Sequence, residues 1–187
     1  MFSLIFPPVS LHLFTMPEEL LVSVLDRIRM ADPLKSDILA LYSRLRGRFQ
    51  DLLQQDAVQL IFCQPEGASE ESRKINFALE LMDLTIPYTK EEYAQHISAI
   101  MDLVRNEKNF HLTLLPEPSF RDIQIAIPGD AVSVLRCNEP YAAFVFLNQT
   151  LTKSVSDYLS MLIGNYATDR HSTLEALDKL RNLHIEN

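Results

Sequence analysis

The sequence predicts an α+β domain in which helices cover a mainly antiparallel sheet. Apolar residues recur at helical spacings of three and four in residues 17–54 and again in 151–183. Between them, in residues 57–147, short segments alternate apolar and polar side chains, which is the period of a half-buried strand. Turns rich in proline, glycine and asparagine separate the last three segments and favour an antiparallel meander. The order of the strands stays open.

Length, composition and charge narrow the class of protein. The 187 residues suffice for one domain with a core of its own. A hydrophobic content of 47% and a charged content of 22% are typical of a globular protein. The formal net charge of −8 argues against a free-standing nucleic-acid-binding domain, because neutralising phosphates requires a basic surface. We therefore expect a protein that meets small molecules or other proteins.

Residues 1–16 are apolar and share only an outline with an export signal. They lack a positively charged start and a small-residue cleavage site, and Pro7 and Pro8 interrupt the apolar run. The segment is also too short to span a bilayer. We expect either a leader that precedes a natural start at Met16, or an apolar arm that packs on a partner.

Residues 17–55 predict a pair of amphipathic helices. The first begins at Pro17 and ends before Pro33, and the second carries apolar residues at helical spacing from Leu34 to Leu52. Basic residues are concentrated here, which indicates contact with a phosphate group or an acidic partner or, as charge runs more often do, a solvated helix face. The pair is available as a dimerisation arm or as a lid over the sheet.

Residues 56–187 predict a sensor-like α+β domain. Its expected elements are, in order, a strand over 57–63, a helix over 70–84, a helix over 89–107, four strands within 110–147, and two C-terminal helices. Thr89 and Glu92 match a capping box that opens the second of these helices. Ser172 and Glu175 match another box and are predicted to open the last helix, while the helix before it is expected to end near Gly164.

The sequence contains no recognisable catalytic set. Its four glycines form no phosphate-binding loop, and its five histidines show no metal-ligand spacing. We therefore expect no metal site, no cofactor and no enzymatic activity. If a nucleophile exists, Cys63 with His111 is the pair to consider, because both lie in predicted strands. The alternative for Cys63 is a small buried apolar residue.

A ligand site is better supported than a catalytic one. Arg136 and Tyr141 flank a predicted turn, and Tyr158 comes from the helix that follows. Arginine and tyrosine beside an apolar sheet are suited to holding a small polar or anionic ligand. The alternative is that both tyrosines are core aromatics with solvated hydroxyl groups and that Arg136 is a surface residue.

The layout of the chain also resembles a known family. A helix-rich segment precedes a strand, a capped helix precedes a strand that ends in proline, and a hydrophobic meander leads into a helix that carries Asp157, Tyr158 and Leu159. A leucine-rich helix closes the chain. This pattern resembles the C-terminal regulatory region of bacterial XRE-type helix-turn-helix transcriptional regulators. The resemblance implies an effector-sensing or dimerisation domain. No DNA-binding domain stands before Pro17, so it further implies a regulatory partner that does not contact DNA itself, or a fragment.

The leading expectation is therefore a ligand-sensing or oligomerisation domain of a cytoplasmic bacterial transcriptional regulator that lacks its DNA-binding domain. We expect it to form a homodimer and to take a small-molecule effector, without contacts of its own to nucleic acid or membrane. One alternative is a small enzyme whose site is assembled only by the fold, from Cys63, His111 or Arg136. Another is an adaptor that binds a protein through the helix over residues 34–52.

Overall fold

The computed structural model describes residues 2–6, 15–55, 58–63, 74–76, 85–115, 123–127, 130–136 and 142–183. In the first half of the chain the elements are β1 (Phe2–Phe6), α1 (Glu18–Arg27), α2 (Asp32–Gln55), β2 (Val58–Cys63), β3 (Lys74–Asn76) and β4 (Thr85–Pro87). In the second half they are α3 (Lys90–Asn106), β5 (Phe110–Leu115), β6 (Ile123–Ile127), β7 (Val132–Arg136), β8 (Ala142–Phe146), α4 (Gln149–Tyr166) and α5 (Arg170–Leu183).

Six of these strands form one mixed sheet in the order β5-β2-β1-β6-β7-β8. The predicted α+β class is confirmed, but the sheet is antiparallel only in part. β6, β7 and β8 form the predicted meander, whereas β1, β2 and β5 run parallel to one another. Parallel neighbours need a crossover connection. α1 and α2 lie between β1 and β2 in the chain, and α3 lies between β2 and β5.

The apolar start of the chain supplies an inner strand of this sheet. Leu4 in β1 lies opposite Leu60 of β2 on one side and opposite Ala126 of β6 on the other. The segment that the sequence presents as a leader or arm over residues 1–16 thus includes a strand with neighbours on both edges. Phe2–Phe6 contains no charged residue, which suits a strand that has neighbours on both edges.

One face of the sheet is covered by α1, α2, α3 and α5, which share a single core with it. The largest buried side chains of this core include Leu20 and Leu21 from α1, Tyr93 from α3 and Phe110 from β5. Phe49 of α2 meets Phe110 edge to face, with ring centroids 6.1 Å apart. The predicted helical pair over residues 17–55 therefore packs on the sheet and on α3.

α4 covers the opposite face. Leu159 packs against Leu115, Ile127 and Val132, which project from β5, β6 and β7. Strand residues alternate between the two faces: Phe110, Leu112 and Leu114 belong to the first core, while Leu115 belongs to the second. The sheet is thus the middle layer of three.

One predicted helix is wrong in part. The apolar spacing over residues 70–84 predicts a helix, but Lys74–Asn76 is a strand that pairs antiparallel with Thr85–Pro87, Ile75 lying opposite Ile86. The rest of that segment up to residue 84 lies outside the described residues. A few apolar residues at helical spacing do not exclude a strand, since pairing with a second strand satisfies the same backbone groups.

Candidate functional site

The most conspicuous feature of the described surface is a set of large apolar side chains left exposed on β8 and α4. We call it the β8–α4 surface. Its members are between 37% and 86% exposed, and they are Phe144, Phe146, Leu147, Leu151, Tyr158, Met161 and Tyr166; Val145 is also exposed but lies on the opposite face of β8. Single exposed apolar residues are normal on soluble proteins, whereas several large ones on one strand and the helix that follows it are typical of an interaction site.

The exposure on β8 follows from its position at the edge of the sheet. Phe144 lies opposite Val134 of β7, and Phe146 lies opposite Val132. Directly opposed residues share a face, so both phenylalanines lie on the α4 side, where the two valines are packed in the second core. The phenylalanine rings stack on each other, with centroids 6.4 Å apart and planes 20° apart. They extend the apolar face of the sheet beyond what α4 covers.

α4 continues this surface from the strand that precedes it. Leu147 and the helix cap Asn148 join β8 to α4, and the Asn148 side chain accepts a hydrogen bond from the backbone N–H of Leu151 (2.9 Å). Leu151 and Tyr158 lie two turns apart on one side of the helix and are exposed, whereas Leu159 is buried against the sheet. The apolar part of α4 is therefore wider than the stripe that its own domain buries.

Hydrogen bonds fix the start of α4 to the body of the protein. The Thr152 hydroxyl, which is buried, donates to the carbonyl oxygen of Asp130 (3.0 Å) in the loop that leads into β7. Together with the Asn148 cap, this contact holds the helix in place on the sheet. The β8–α4 surface is consequently preformed.

This surface is also almost free of charge. The five residues of β8, Ala142–Phe146, contain no charged side chain. On α4, Lys153 and Asp157 neutralise each other through an ion pair of 2.6 Å. For a chain with a formal net charge of −8, the β8–α4 surface is a locally neutral region.

The three predicted ligand residues do not form a described cavity. Arg136 is exposed at the end of β7, and Tyr158 belongs to the β8–α4 surface with 45% of its side chain exposed. Tyr141 lies outside the described residues. The structure thus gives Tyr158 a place in an apolar surface, and the joint site of the three residues stays a prediction.

Cys63 and His111, the pair considered for an enzyme, are separated by the register of the sheet. β2 and β5 are neighbours, but His111 lies opposite Gln59, while Cys63 lies opposite Leu115 at the other end of the ladder. Four residues along a strand correspond to about 13 Å, too far for a hydrogen bond between a nucleophile and its base. This pairing does not form.

The predicted adaptor helix buries the face on which that interpretation depends. In α2, Ile38, Tyr42 and Phe49 are nearly inaccessible to solvent and belong to the first core. The Tyr42 hydroxyl donates to the carbonyl oxygen of Met16 (2.9 Å), and burial raises the pKa of that hydroxyl. An exposed apolar face is found on β8 and α4 instead.

A buried polar cluster surrounds His96, a residue that the sequence pattern weighs only as a possible metal ligand. His96 is fully buried in α3. Its Nε2 lies 2.8 Å from the Thr15 hydroxyl and its Nδ1 lies 2.6 Å from the Tyr88 hydroxyl. Burial raises the pKa of Tyr88 well above its ordinary value, and the neighbouring Tyr93 and Glu92 act in the same direction. With both ring nitrogens engaged inside the core, the cluster joins three segments of the chain.

A cleft of about 610 Å³ opens between α2 and α3. Glu18, Glu19 and Glu107 line it together with Arg46, and so does Asp102, which pairs with Arg105 at 3.0 Å. Side chains of this kind are normal on a solvated groove. The cleft carries no functional conclusion.

Metal and membrane chemistry find no support in the described part of the chain. Among those residues, no three histidine, cysteine or carboxylate side chains are grouped as metal ligands would be. No described helix combines the length and the apolar character that a membrane-spanning helix needs.

Comparisons with protein-family models, with curated proteins and with solved structures found no match.

Proposed function

We propose that this protein is a self-association domain that forms a homodimer through the β8–α4 surface. The observation that supports the proposal is a preformed, nearly uncharged apolar surface beside an edge strand. It supports the oligomerisation half of the expectation from the sequence. A role in transcription regulation, and a cytoplasmic location, are carried by the resemblance to XRE-type regulators alone.

The extent of the surface fits a dimer interface. A whole aromatic side chain offers roughly 150–250 Å², so the exposed fractions of seven large apolar residues amount to several hundred Å². The largest apolar patch on a typical monomer is about 300–600 Å² and is often functional. A stable interface buries about 800 Å² on each partner. With the backbone and polar rim around it, the β8–α4 surface comes close to that size.

The edge of β8 supplies a second reason. No described strand pairs with its outer side, so its outward N–H and C=O groups have no described strand partner there. Natural proteins protect such edges with lysine, proline or bulges. Ala142–Phe146 contains neither lysine nor proline. An edge of this composition is suited to pairing with another strand, and two β8 strands running antiparallel across a two-fold axis form one continuous sheet.

Charge favours a second copy as the partner. A two-fold interface brings the same patch together from both sides, so the patch must complement itself. A charged patch would repel its own copy, whereas the neutral β8–α4 surface, with Lys153 and Asp157 already paired, does not. The net charge of −8 acts mainly at longer range, where physiological salt screens it.

The proposal is tested by placing a charge in the surface. Phe144→Lys on β8 and Met161→Lys on α4 each bring an unpaired ammonium group into the interface, whose burial is strongly unfavourable. We expect each to weaken the dimer about 100-fold or more in analytical ultracentrifugation while the circular dichroism spectrum is unchanged.

Gln95→Lys is the matched control, because it adds the same charge at an exposed position of α3, outside the β8–α4 surface. It is expected to leave the dimer intact. Equal dissociation constants for all three variants would refute the proposed interface, since a general charge effect would then account for the change.

A further inference from the structure

A second site, formed by other residues, lies on the sheet beside the C-terminal end of α4. It is a pocket of about 190 Å³ between β2, β5 and the segment that links α4 to α5. Its polar lining consists of Gln59, His111, Thr113, Thr168, Arg170 and Thr173. None of these residues belongs to the β8–α4 surface, so this inference does not rest on the proposed dimer.

The floor of the pocket is polar and buried. Gln59 and Thr113 are 5% and 3% exposed, and the Gln59 amide donates to the Thr113 hydroxyl at 3.0 Å. Both project from the face of the sheet that is otherwise apolar under α4. Burying an amide and a hydroxyl group there disfavours folding unless their hydrogen bonds are made.

The rim of the pocket comes from the start of α5. The Thr168 and Thr173 hydroxyl oxygens lie 2.8 Å apart, which fixes the linker against the helix. The Arg170 guanidinium donates to the carbonyl oxygens of Arg105 and Glu107 over 3.4 and 3.2 Å. These are long hydrogen bonds, and a guanidinium group has five N–H donors in all. These contacts therefore hold Arg170 at the mouth of the pocket, and other N–H groups of its guanidinium remain available to a ligand.

The residues that line the pocket favour a negatively charged ligand. Arg170 contributes a permanent positive charge, His111 is an exposed imidazole, and the threonine and glutamine side chains contribute neutral donors. None of the described residues that line the pocket is a carboxylate, although the chain as a whole has 25 acidic residues and 17 basic ones. The nearby Asp169 carboxylate caps α5 by accepting the backbone N–H of Ser172 (2.8 Å), and this hydrogen bond lowers its pKa.

We propose that this pocket binds a small oxyanion, a carboxylate or a phosphate group, held by Arg170 at the mouth and by the Thr113 hydroxyl at the floor. Arginine and hydroxyl donors are the groups that recognise carboxylate and phosphate oxygens. The volume is below the 300–1,000 Å³ of pockets for drug-sized ligands, so the ligand is a molecule of few heavy atoms.

Isothermal titration calorimetry of the full chain with inorganic phosphate, and separately with malonate, tests the proposal. Sodium chloride at matched ionic strength gives the background. We expect saturable binding of at least one probe; phosphate alone identifies a phosphate site and malonate alone a carboxylate site. Arg170→Gln is expected to weaken the binding about 10-fold or more, because a charge-assisted hydrogen bond is lost.

Lys179→Gln is the matched control, since it removes the same charge from an exposed position on the same helix, away from the pocket lining. It is expected to leave the affinity unchanged. His111→Gln, at an exposed strand position, is a second test if Arg170→Gln impairs folding, and it is also expected to weaken binding. Absence of saturation with both probes up to about 20 mM, a range in which even weak specific sites respond, would overturn the proposal. Equal weakening in Arg170→Gln and Lys179→Gln would overturn it as well.

Discussion

His96 shows how far a single side chain depends on parts of the chain that sequence periodicity does not connect. It precedes Ile97 on the apolar side of α3, yet its environment is set by Thr15 and Tyr88, which come from outside that helix. Its partners are 81 and 8 residues away in sequence. The helical pattern predicts α3, but it does not predict that a histidine on it has two buried hydroxyl partners.

Tyr88 gives this cluster a measurable pH dependence. In the unfolded chain the phenol ionises near pH 10, whereas in the folded protein its pKa is raised, chiefly by burial. Above pH 10 the unfolded state therefore binds fewer protons than the folded state, and stability falls as pH rises. We expect the unfolding temperature to fall less steeply above pH 10 in Tyr88→Phe than in the unaltered protein.

The same substitution removes the hydrogen bond to His96. At pH 7 we therefore expect Tyr88→Phe to be about 1 kcal/mol less stable than the unaltered protein and to unfold at a lower temperature. Thermal unfolding followed by circular dichroism from pH 7 to pH 11 measures both effects. An identical alkaline slope in the two proteins would contradict the buried state of Tyr88.

Replacing either glycine that lies in a described helix is expected to stabilise the protein, in contrast to Tyr88→Phe. Gly47 lies in α2 and Gly164 in α4, and a Cβ atom added at either position meets nothing within 4 Å. Replacing a helical glycine with alanine reduces the conformational entropy of the unfolded chain. This stabilises the folded protein by about 0.5–1 kcal/mol. Gly47→Ala and Gly164→Ala should each raise the unfolding temperature. A lower value for either would mean that its backbone is not helical in solution.

Capping residues were predictable only in part. The Thr89 and Glu92 box is present, with the two reciprocal hydrogen bonds at 3.2 and 2.8 Å. The predicted box of Ser172 and Glu175 is wrong, because Asp169 caps α5 three residues earlier. Both sites satisfy the local pattern, since Asp, Ser and Thr all accept hydrogen bonds at a helix start. Which residue caps the helix depends on where the preceding helix ends.

At the scale of elements, an ion pair ties α1 to the start of α3. The Arg27 guanidinium makes two hydrogen bonds to the Glu92 carboxylate, at 2.7 and 2.8 Å. The Glu92 side chain is 10% exposed and the Arg27 side chain 35%. The Glu92 carboxylate also accepts the backbone N–H of Thr89, so one acidic group serves both the cap and the contact between helices.

Arg27→Met is expected to destabilise the protein by about 1–3 kcal/mol, because it leaves a largely buried carboxylate without this cation, with a discount for the partial exposure of Arg27. Chemical denaturation measures the loss. Arg105→Met is the matched control: it breaks the exposed pair with Asp102 and should change stability by about 0.5 kcal/mol or less. Equal losses would show that the contact between α1 and α3 contributes no more than a surface pair.

The elements themselves were mostly predictable, and their pairing was not. Three- and four-residue spacing predicts α1, α2 and α3, and short turns predict the β6–β8 meander. The parallel half of the sheet requires β1 to meet β2 some fifty residues later, and the side-chain pattern of one strand does not identify the strand that pairs with it. The short β1 also stands beside Pro7, which favours a break in structure.

At the scale of the whole molecule, strand order decides which apolar residues are exposed and hence where the proposed interface lies. The run of residues 141–147 is almost wholly apolar, and such a run alone predicts a buried strand. Because β8 is at the end of the sheet, its phenylalanines are exposed instead. The sequence therefore does not predict the candidate surface, because it does not show that β8 lies at the edge of the sheet.

The mass of the protein in solution is the most direct test of the proposed homodimer. Sedimentation equilibrium of the unaltered chain from about 1 to 100 µM spans the range in which an interface of standard size assembles. A homodimer through the β8–α4 surface predicts twice the 21.4 kDa of one chain, with dissociation only on dilution. A mass of one chain at every concentration would contradict the proposed function.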